Sequence, residues 1–542
     1  MTQPAGDGVA VSPPPGLARS TVTMSALTAV SRMTGLVRIL LVGAVVGTTY
    51  LGNTYESTNT IPNVVFELMA AGTFQAVLIP ALVRFETRGE REEAEHVAAS
   101  VFGISLVVLF GVAFLGMLAS PLISKVLFSG SADAVRAEQV HLGTIFLLIF
   151  LPQVGMYAVG MVATGVLNSQ NRFAAPAIAP AVNNVIVCTA YVLYWLSRDG
   201  GPPTLHLTPL QIGLLAGGTT LGVIGFCSVP LLAVRRTSFH LRVRFDRHHP
   251  AVRQILRMGA WAAGFLASTQ LLIVVELLLS NSVEGGVVAL QIGWTFFLLP
   301  YALFAQPILT TLFPTMARQV TTRDTEGYAR SIESGTEMIC LFVIPTAIAF
   351  VAVAPAMCRA ILFGAITAAG AADVSRVVMG FAPGVIGYGL LLFYARVLYA
   401  QDDARMPTIV NVLAGIAGAI AMAATFSIPQ EHWRVPLLAA IHALAYTFAA
   451  VALALIIRRR LPEGHRPALL RRLRPQLIAV VPVAVVGIYV GRQIPLESRL
   501  TALVLGGLVG VAILAAFGLL TSALGGPNLP EIGRKVLKGR GA

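Results

Sequence analysis

Charge is what this 542-residue chain has little of: Asp, Glu, Lys and Arg together make up 12% of it, against 56% hydrophobic residues. A soluble domain carries about a quarter charged residues, so so sparse a set cannot coat a water-facing surface and lipid must be the main solvent. Cysteine is scarce as well. Cys188, Cys227, Cys340 and Cys358 lie scattered in apolar stretches, without the spacing of metal ligands, which excludes a zinc or redox site and leaves packing roles. No GxxxxGK[ST] loop occurs, so there is no ATPase signature. Segments such as LIAVVPVAVVGIYV (477–490) do not alternate apolar and polar residues, which excludes a membrane β-barrel.

What is present is a succession of apolar runs. A bilayer core takes about 20 apolar residues per helix, and roughly fourteen such runs are found. They fall near 23–49, 57–83, 97–127, 140–167, 175–197, 209–234, 254–280, 286–317, 334–357, 375–400, 407–428, 435–457, 475–494 and 500–523. The fold class is therefore an all-α polytopic membrane protein. Residues 1–22 are rich in Pro, Gly and Ser with no basic region ahead of an apolar core, and read as a disordered cytoplasmic tail rather than a cleaved signal.

The formal charge of +13 raises nucleic acid as a partner, but the basic residues sit in every second loop. Arg84, Arg88 and Arg91 follow the second run, Arg172 the fourth, Arg235 to Arg253 the sixth, Arg318 to Arg330 the eighth, Arg405 the tenth and Arg458 to Arg474 the twelfth. That is the signature of cytoplasmic loops. It predicts both termini in the cytoplasm, contact of the basic loops with membrane lipids, and no nucleic acid partner.

Sliding the chain on itself by 231 residues sets Phe150, Pro152, Tyr157 and VLNSQNRFAAPAI (166–178) on Phe381, Pro383, Tyr388 and VLYAQDDARMPTI (397–409). An offset of 234 sets Pro80 and Arg84 on Pro314 and Arg318. Two six-helix repeats in parallel orientation follow, with two helices left over at the C-terminus. The predicted organisation is a tail (1–22), an N-lobe (23–234), a basic linker (235–253), a C-lobe (254–457), a basic loop (458–474), a terminal helix pair (475–523) and a second tail (524–542). Such lobes enclose a substrate cavity and rock about it, which makes transport the leading class by architectural analogy.

Charges inside the membrane cost about 2.5–3.5 kcal/mol each on insertion scales and ask for a reason. Arg32 and Arg38 fall near the middle of the first span, about 9 Å apart along the axis and roughly 120° around it, so both can line a broad cavity. Gly35 between them lets a bulky ligand or a neighbouring helix approach the backbone. The bland alternative is snorkelling or pairing with Glu67 or Glu276. A cationic cavity suits a phosphate-bearing ligand, since guanidinium grips phosphate oxygens in pairs. Glu67 and Glu276 either bind a coupling Na⁺ or proton or neutralise arginines. His442 reads as a packed, hydrogen-bonded residue, and Glu333, Glu337, Asp402 and Asp403 as solvated or capping residues near helix ends.

The runs SRMTGLVR (31–38), TIPNVVFELMAAGTFQAVLIPAL (60–82), VLNSQNRFAAPAIAP (166–180) and AQDDARMP (400–407) resemble the MurJ/MviN lipid II flippases of the MOP transporter superfamily, from about residue 23 to 525. The resemblance implies a transporter, not an enzyme, in the bacterial plasma membrane. It implies alternating access that carries undecaprenyl-pyrophosphate-linked peptidoglycan precursor to the outer leaflet. It also implies a headgroup site at Arg32 and Arg38, and a groove for the lipid tail on the two extra helices that twelve-helix MATE antiporters lack. No cofactor is expected beyond a Na⁺ or H⁺ gradient or the membrane potential. The chain departs from the family pattern at Ile39, Phe66-Glu67, Trp294-Thr295 and Asn53, where acids or arginines are common; Asn53, at the position of an acid, joins Glu67 and Glu276 as a candidate for the cavity or for ion coupling. These departures keep two alternatives open: export of another lipid-linked glycan or amphiphile, or a silent scaffold recruiting cell-wall synthesis proteins through its basic loops.

Overall fold

In a computed structural model of the chain, residues 15–68, 74–253, 270–428 and 431–527 are described. They form a bundle of long α-helices, and no strand occurs among them. The first half contributes α1 (Pro15–Val46), α2 (Tyr50–Phe66), α3 (Phe74–Thr87), α4 (Arg91–Leu127), α5 (Asp133–Phe150), α6 (Pro152–Ser169), α7 (Ala174–Leu196) and α8 (Pro209–Arg235). The second contributes α9 (Gln270–Ser280), α10 (Gly286–Thr321), α11 (Thr325–Ile361), α12 (Ala368–Phe381), α13 (Gly384–Ala400), α14 (Arg405–Ala424) and α15 (Glu431–Arg460). A terminal pair follows, α16 (Leu469–Arg492) and α17 (Arg499–Ala523).

Among the described residues eleven spans are long and apolar enough to cross a membrane, α5 and α6 together making one, and the pair α12 and α13, bent by 44°, makes up to twelve. The two remaining predicted spans, 57–83 and 254–280, run through residues outside the described set. Residues 15–22 of the predicted tail are helical, as part of α1 (Pro15–Val46); residues 1–14 lie outside the described set.

The 231-residue offset reappears as backbone geometry. α5 gives way to α6 at Phe150-Leu151-Pro152, and α12 to α13 at Phe381-Ala382-Pro383, because proline removes a ladder N–H and crowds the preceding turn. α6 and α13 both close through a non-glycine residue in the left-handed region, Asn171 (φ 58°) and Asp402 (φ 59°). In each turn the N–H of the next residue donates to a carbonyl of the final helical turn, Arg172 to Leu167 (2.8 Å) and Asp403 to Leu398 (3.0 Å). α4 and α11, offset by 234, are both 37 residues long.

Two separate sets of apolar cores define an N-lobe of α1–α8 and a C-lobe of α9–α15. The terminal pair packs on α11, with Ala479, Val483, Ile513 and Phe517 against Ile344, Ile348 and Ala352. Gly491 lets α16 close onto the Ala352 carbonyl, where a Cβ would collide.

The segment between the lobes is an ordered strap. Phe239 and Val252 are buried in the N-lobe core, and the Arg244 N–H donates to the Ala99 carbonyl of α4 (3.2 Å). His249 Nε2 meets Glu93 Oε1 at 2.6 Å and His96 Nε2 meets Asp246 Oδ2 at 3.1 Å. The backbone N–H of His248, helped by those of His249 and by His96, holds the Asp246 carboxyl below its ordinary value.

Asp402 and Asp403 cap as the sequence predicts at Asp403, whose Oδ1 accepts from the N–H groups of Arg405 (2.9 Å) and Met406 (3.1 Å) while Oδ2 pairs with Arg460 at 2.6 Å. Glu333 accepts from the Ala468 N–H (2.7 Å) and from Arg472 (3.3 Å). Both contacts lie at the end of the bundle that carries the basic loops.

Candidate functional site: a cavity between the lobes

Far from the basic loops, the lobes are locked. The side chain of Asn53, in the first turn of α2, donates to the Val283 carbonyl (2.8 Å) and accepts from the Val287 N–H (3.0 Å). Asn281 Nδ2 donates to Ser57 Oγ (2.9 Å), and the Ala365 N–H donates to the Ala44 carbonyl (2.7 Å). Asn53 is fully buried in this seam. It is therefore a latch between lobes and not the cavity or ion-coupling residue that the sequence suggested: its amide is fully used by a loop on the opposite lobe.

Behind the seam lies a cavity of about 260 Å³, bounded by α2 on one side and by α9 and α10 on the other. Its polar lining is Thr60, Asn63, Glu67, Gln270, Glu276 and Gln291. Gln291 Nε2 donates across the lobes to Thr60 Oγ1 (3.1 Å), and Tyr157 donates to Asn63 Oδ1 (3.0 Å). The two carboxylates singled out in the sequence thus share one cavity, Glu67 from the N-lobe and Glu276 from the C-lobe. Among the described residues neither pairs with an arginine. Glu276 Oε1 lies 2.6 Å from His442 Nδ1, and both side chains are almost completely buried. An aromatic shell covers the imidazole: Trp294 stacks on it (centroids 5.1 Å, 28°), with Tyr446 at 4.7 Å and Phe381 at 6.0 Å. Trp294 and Phe66, which stand where the family resemblance leads one to expect charge, are both in aromatic contacts, Phe66 with Tyr157 at 4.2 Å.

The arginines are elsewhere, and apart. Arg38 is half-buried inside the N-lobe, in the electrostatic field of Tyr191, Tyr55, Glu56 and Tyr157. It has no hydrogen bond and no ion pair among the described residues. Glu56, which sequence reasoning missed because it sits just before a predicted span, is the acid nearest to it in effect. Arg32 is exposed and acts on Tyr301 of α10 together with Arg396 of α13. Tyr301 opens the π-helical turn Tyr301–Ala305, the kind of distortion that recurs at functional sites. Arg396, whose guanidinium lies 5.4 Å over the Phe313 ring, was legible only as an arginine inside span 375–400, near enough to its end to pass for a snorkelling residue. Gly35 faces α7: a Cβ there would meet Asn184 Nδ2 at 3.5 Å, an ordinary contact, and Asn184 donates to Thr34 (3.1 Å).

A second cavity, about 580 Å³, is lined by apolar residues of α16 and α17 such as Val486, Val490, Val509 and Leu519.

A polytopic helical bundle of two lobes locked at one end, with a polar cavity between them, has the architecture of a membrane transporter. The same fold is seen in a MATE multidrug transporter of the MOP superfamily in its inward-facing conformation, at a TM-score of 0.63 and 13% identity over 82% of this chain and 99% of that one. The family model described as lipid II flippase MurJ matches residues 42–502, and the chain belongs to that family. A probable lipid II flippase MurJ of Rhizobium tropici is 24% identical over 536 residues, 97% of this chain and 98% of its own length. The lipid II flippase MurJ of Burkholderia cenocepacia is 24% identical over 406 residues, 72% of this chain and 75% of its own. A structure of lipid II flippase MurJ in an inward closed conformation superposes at a TM-score of 0.73, with 17% identity over 92% of this chain and 98% of that one.

Proposed function

We propose that this integral membrane protein carries a lipid-linked peptidoglycan precursor from the cytoplasmic to the outer leaflet of the bacterial plasma membrane by alternating access, as a transporter and not an enzyme. The observation that carries the reading is the family match across residues 42–502. Arg38 supports it: a guanidinium inside the bundle with no hydrogen bond or ion pair among the described residues is ready for a pyrophosphate, with Arg32 and Arg396 as further cations nearer Tyr301. The apolar groove between α16 and α17 suits a polyprenyl chain. The basic loops at one end support a cytoplasmic position for that end and for both termini by the positive-inside rule. In this orientation the Asn53 seam closes the outer side.

Depletion of the protein is expected to accumulate lipid-linked precursor in the inner leaflet, and Arg38→Ala is expected to leave the defect unrescued. Normal wall labelling in cells that carry only the Arg38→Ala protein overturns the reading. A second reading, export of another lipid-linked glycan, is favoured by one observation: carboxylates and aromatic rings line the inter-lobe cavity. Failure of the wild-type chain to rescue a flippase-deficient strain selects that reading.

A further inference from the structure

Glu276 and His442 lie on α9 and α15, 166 positions apart in the chain, and meet at 2.6 Å with 4% and 1% of their side chains exposed. A contact this short requires a hydrogen between nitrogen and oxygen. His442 Nε2 is buried and has no hydrogen-bond partner among the described residues. With one hydrogen on the pair, a carboxylate faces a neutral imidazole and the net charge is −1. A second hydrogen brings the pair to net neutrality.

Among the described residues the surroundings supply no cation to balance the −1 form. α15 presents Tyr446 and α13 presents Tyr388, both neutral phenols. α10 presents Trp294 and α12 presents Phe381. α12 also carries Asp373 and Arg376, which pair with each other. α14 has no charged residue after Arg405. Across the cavity the facing titratable group is Glu67 of α2, a second carboxylate. A buried, uncompensated negative charge is opposed by desolvation and by a like charge on the other lobe; one added proton relieves both.

We propose that the Glu276–His442 pair, opening on the inter-lobe cavity opposite Glu67, is a proton-binding site whose occupancy governs closure of the two lobes. The proton enters from the cavity, converts the pair from one shared hydrogen to two hydrogens, and removes the repulsion between carboxylates that belong to different lobes. Na⁺ is a poor substitute, since a hard cation takes oxygen ligands and Oε1 is engaged by an imidazole nitrogen. The transporter reading enters only in what the lobe movement drives.

Trp294 gives the site its own reporter, because protonation of a stacked imidazole quenches indole emission. Full-length protein in lipid nanodiscs is titrated at constant ionic strength, with Trp294→Phe identifying the Trp294 contribution. The expected result is one quenching step on acidification, lost in both Glu276→Gln and His442→Gln. In parallel, spin labels at Arg88→Cys and Thr322→Cys, in a background with the native cysteines replaced, should report an inter-lobe distance that changes with pH and no longer does so in Glu67→Gln. No step in the wild type, a step that survives in either pair variant, or a step set by Na⁺ at constant pH overturns the proposal. If one pair variant fails to fold, the other decides. A pH step that persists in a chain unable to rescue a flippase-deficient strain sinks the substrate reading and leaves the proton site standing.

Discussion

The two lobes treat an intramembrane ionisable group in opposite ways. In the N-lobe, Arg38 stands among Tyr55, Tyr157 and Tyr191 with Glu56 in its field and no hydrogen bond or ion pair among the described residues. In the C-lobe, Glu276 is held at 2.6 Å by His442 under a stacked Trp294. A charge left free inside a membrane protein has retained its capacity to bind something else, whereas a charge satisfied internally has become part of the framework and titrates with its partner. The halves share several backbone breaks and turns at a fixed offset, yet they carry different side chains at these two sites.

The comparison breaks most easily at its C-lobe end. His442→Leu strands Glu276 in an apolar shell, and removing one member of a buried pair costs about 3–5 kcal/mol. A pronounced fall in unfolding temperature in detergent is expected, and an unchanged temperature would show that the pair carries no structural weight. Arg38→Ala should do the reverse, abolishing rescue of a flippase-deficient strain while leaving the unfolding temperature where it was. A large loss of thermal stability there would make Arg38 a framework residue like Glu276.

Outside the membrane the same pairing matters less, which Asp246 tests. Its folded value is depressed, so its contribution is present above the ordinary carboxylate pKa of about 3.9 and disappears as pH falls through the lower folded value. The acid side of the stability profile should therefore flatten in Asp246→Asn, with neutral-pH stability almost unchanged. The smallest effect is expected at Gly35→Ala. The new Cβ meets Asn184 at ordinary contact distance, and alanine favours a helix by up to about 1 kcal/mol, so stability should hold or rise slightly and rescue should persist. Loss of rescue would return Gly35 to the ligand site.

Much of the fold was legible because it is written locally. The Phe-x-Pro breaks and the Asn171 and Asp402 turns follow from residues adjacent in the chain, and the basic loops mark one end by composition alone. The apolar runs gave the spans, although Pro15 starts α1 earlier than a composition shift at residue 22 suggested. The site was less legible, since its geometry depends on partners far apart in sequence. Glu276 was visible as an oddity, but nothing near it points to His442, and Arg396 and Glu56 hid near the ends of predicted spans. Asn53 was chosen for a resemblance, while its actual partners, Val283 and Val287, are backbone groups that no sequence pattern reveals.

The strap between the lobes has a mechanical consequence. A leash of free chain from Arg235 onward would let the lobes part in any direction, yet Phe239, Arg244, Asp246, His249 and Val252 fasten its length to the N-lobe, mainly along α4. Its slack has been taken up, so that as far as Val252 the strap and α4 form one body with the N-lobe.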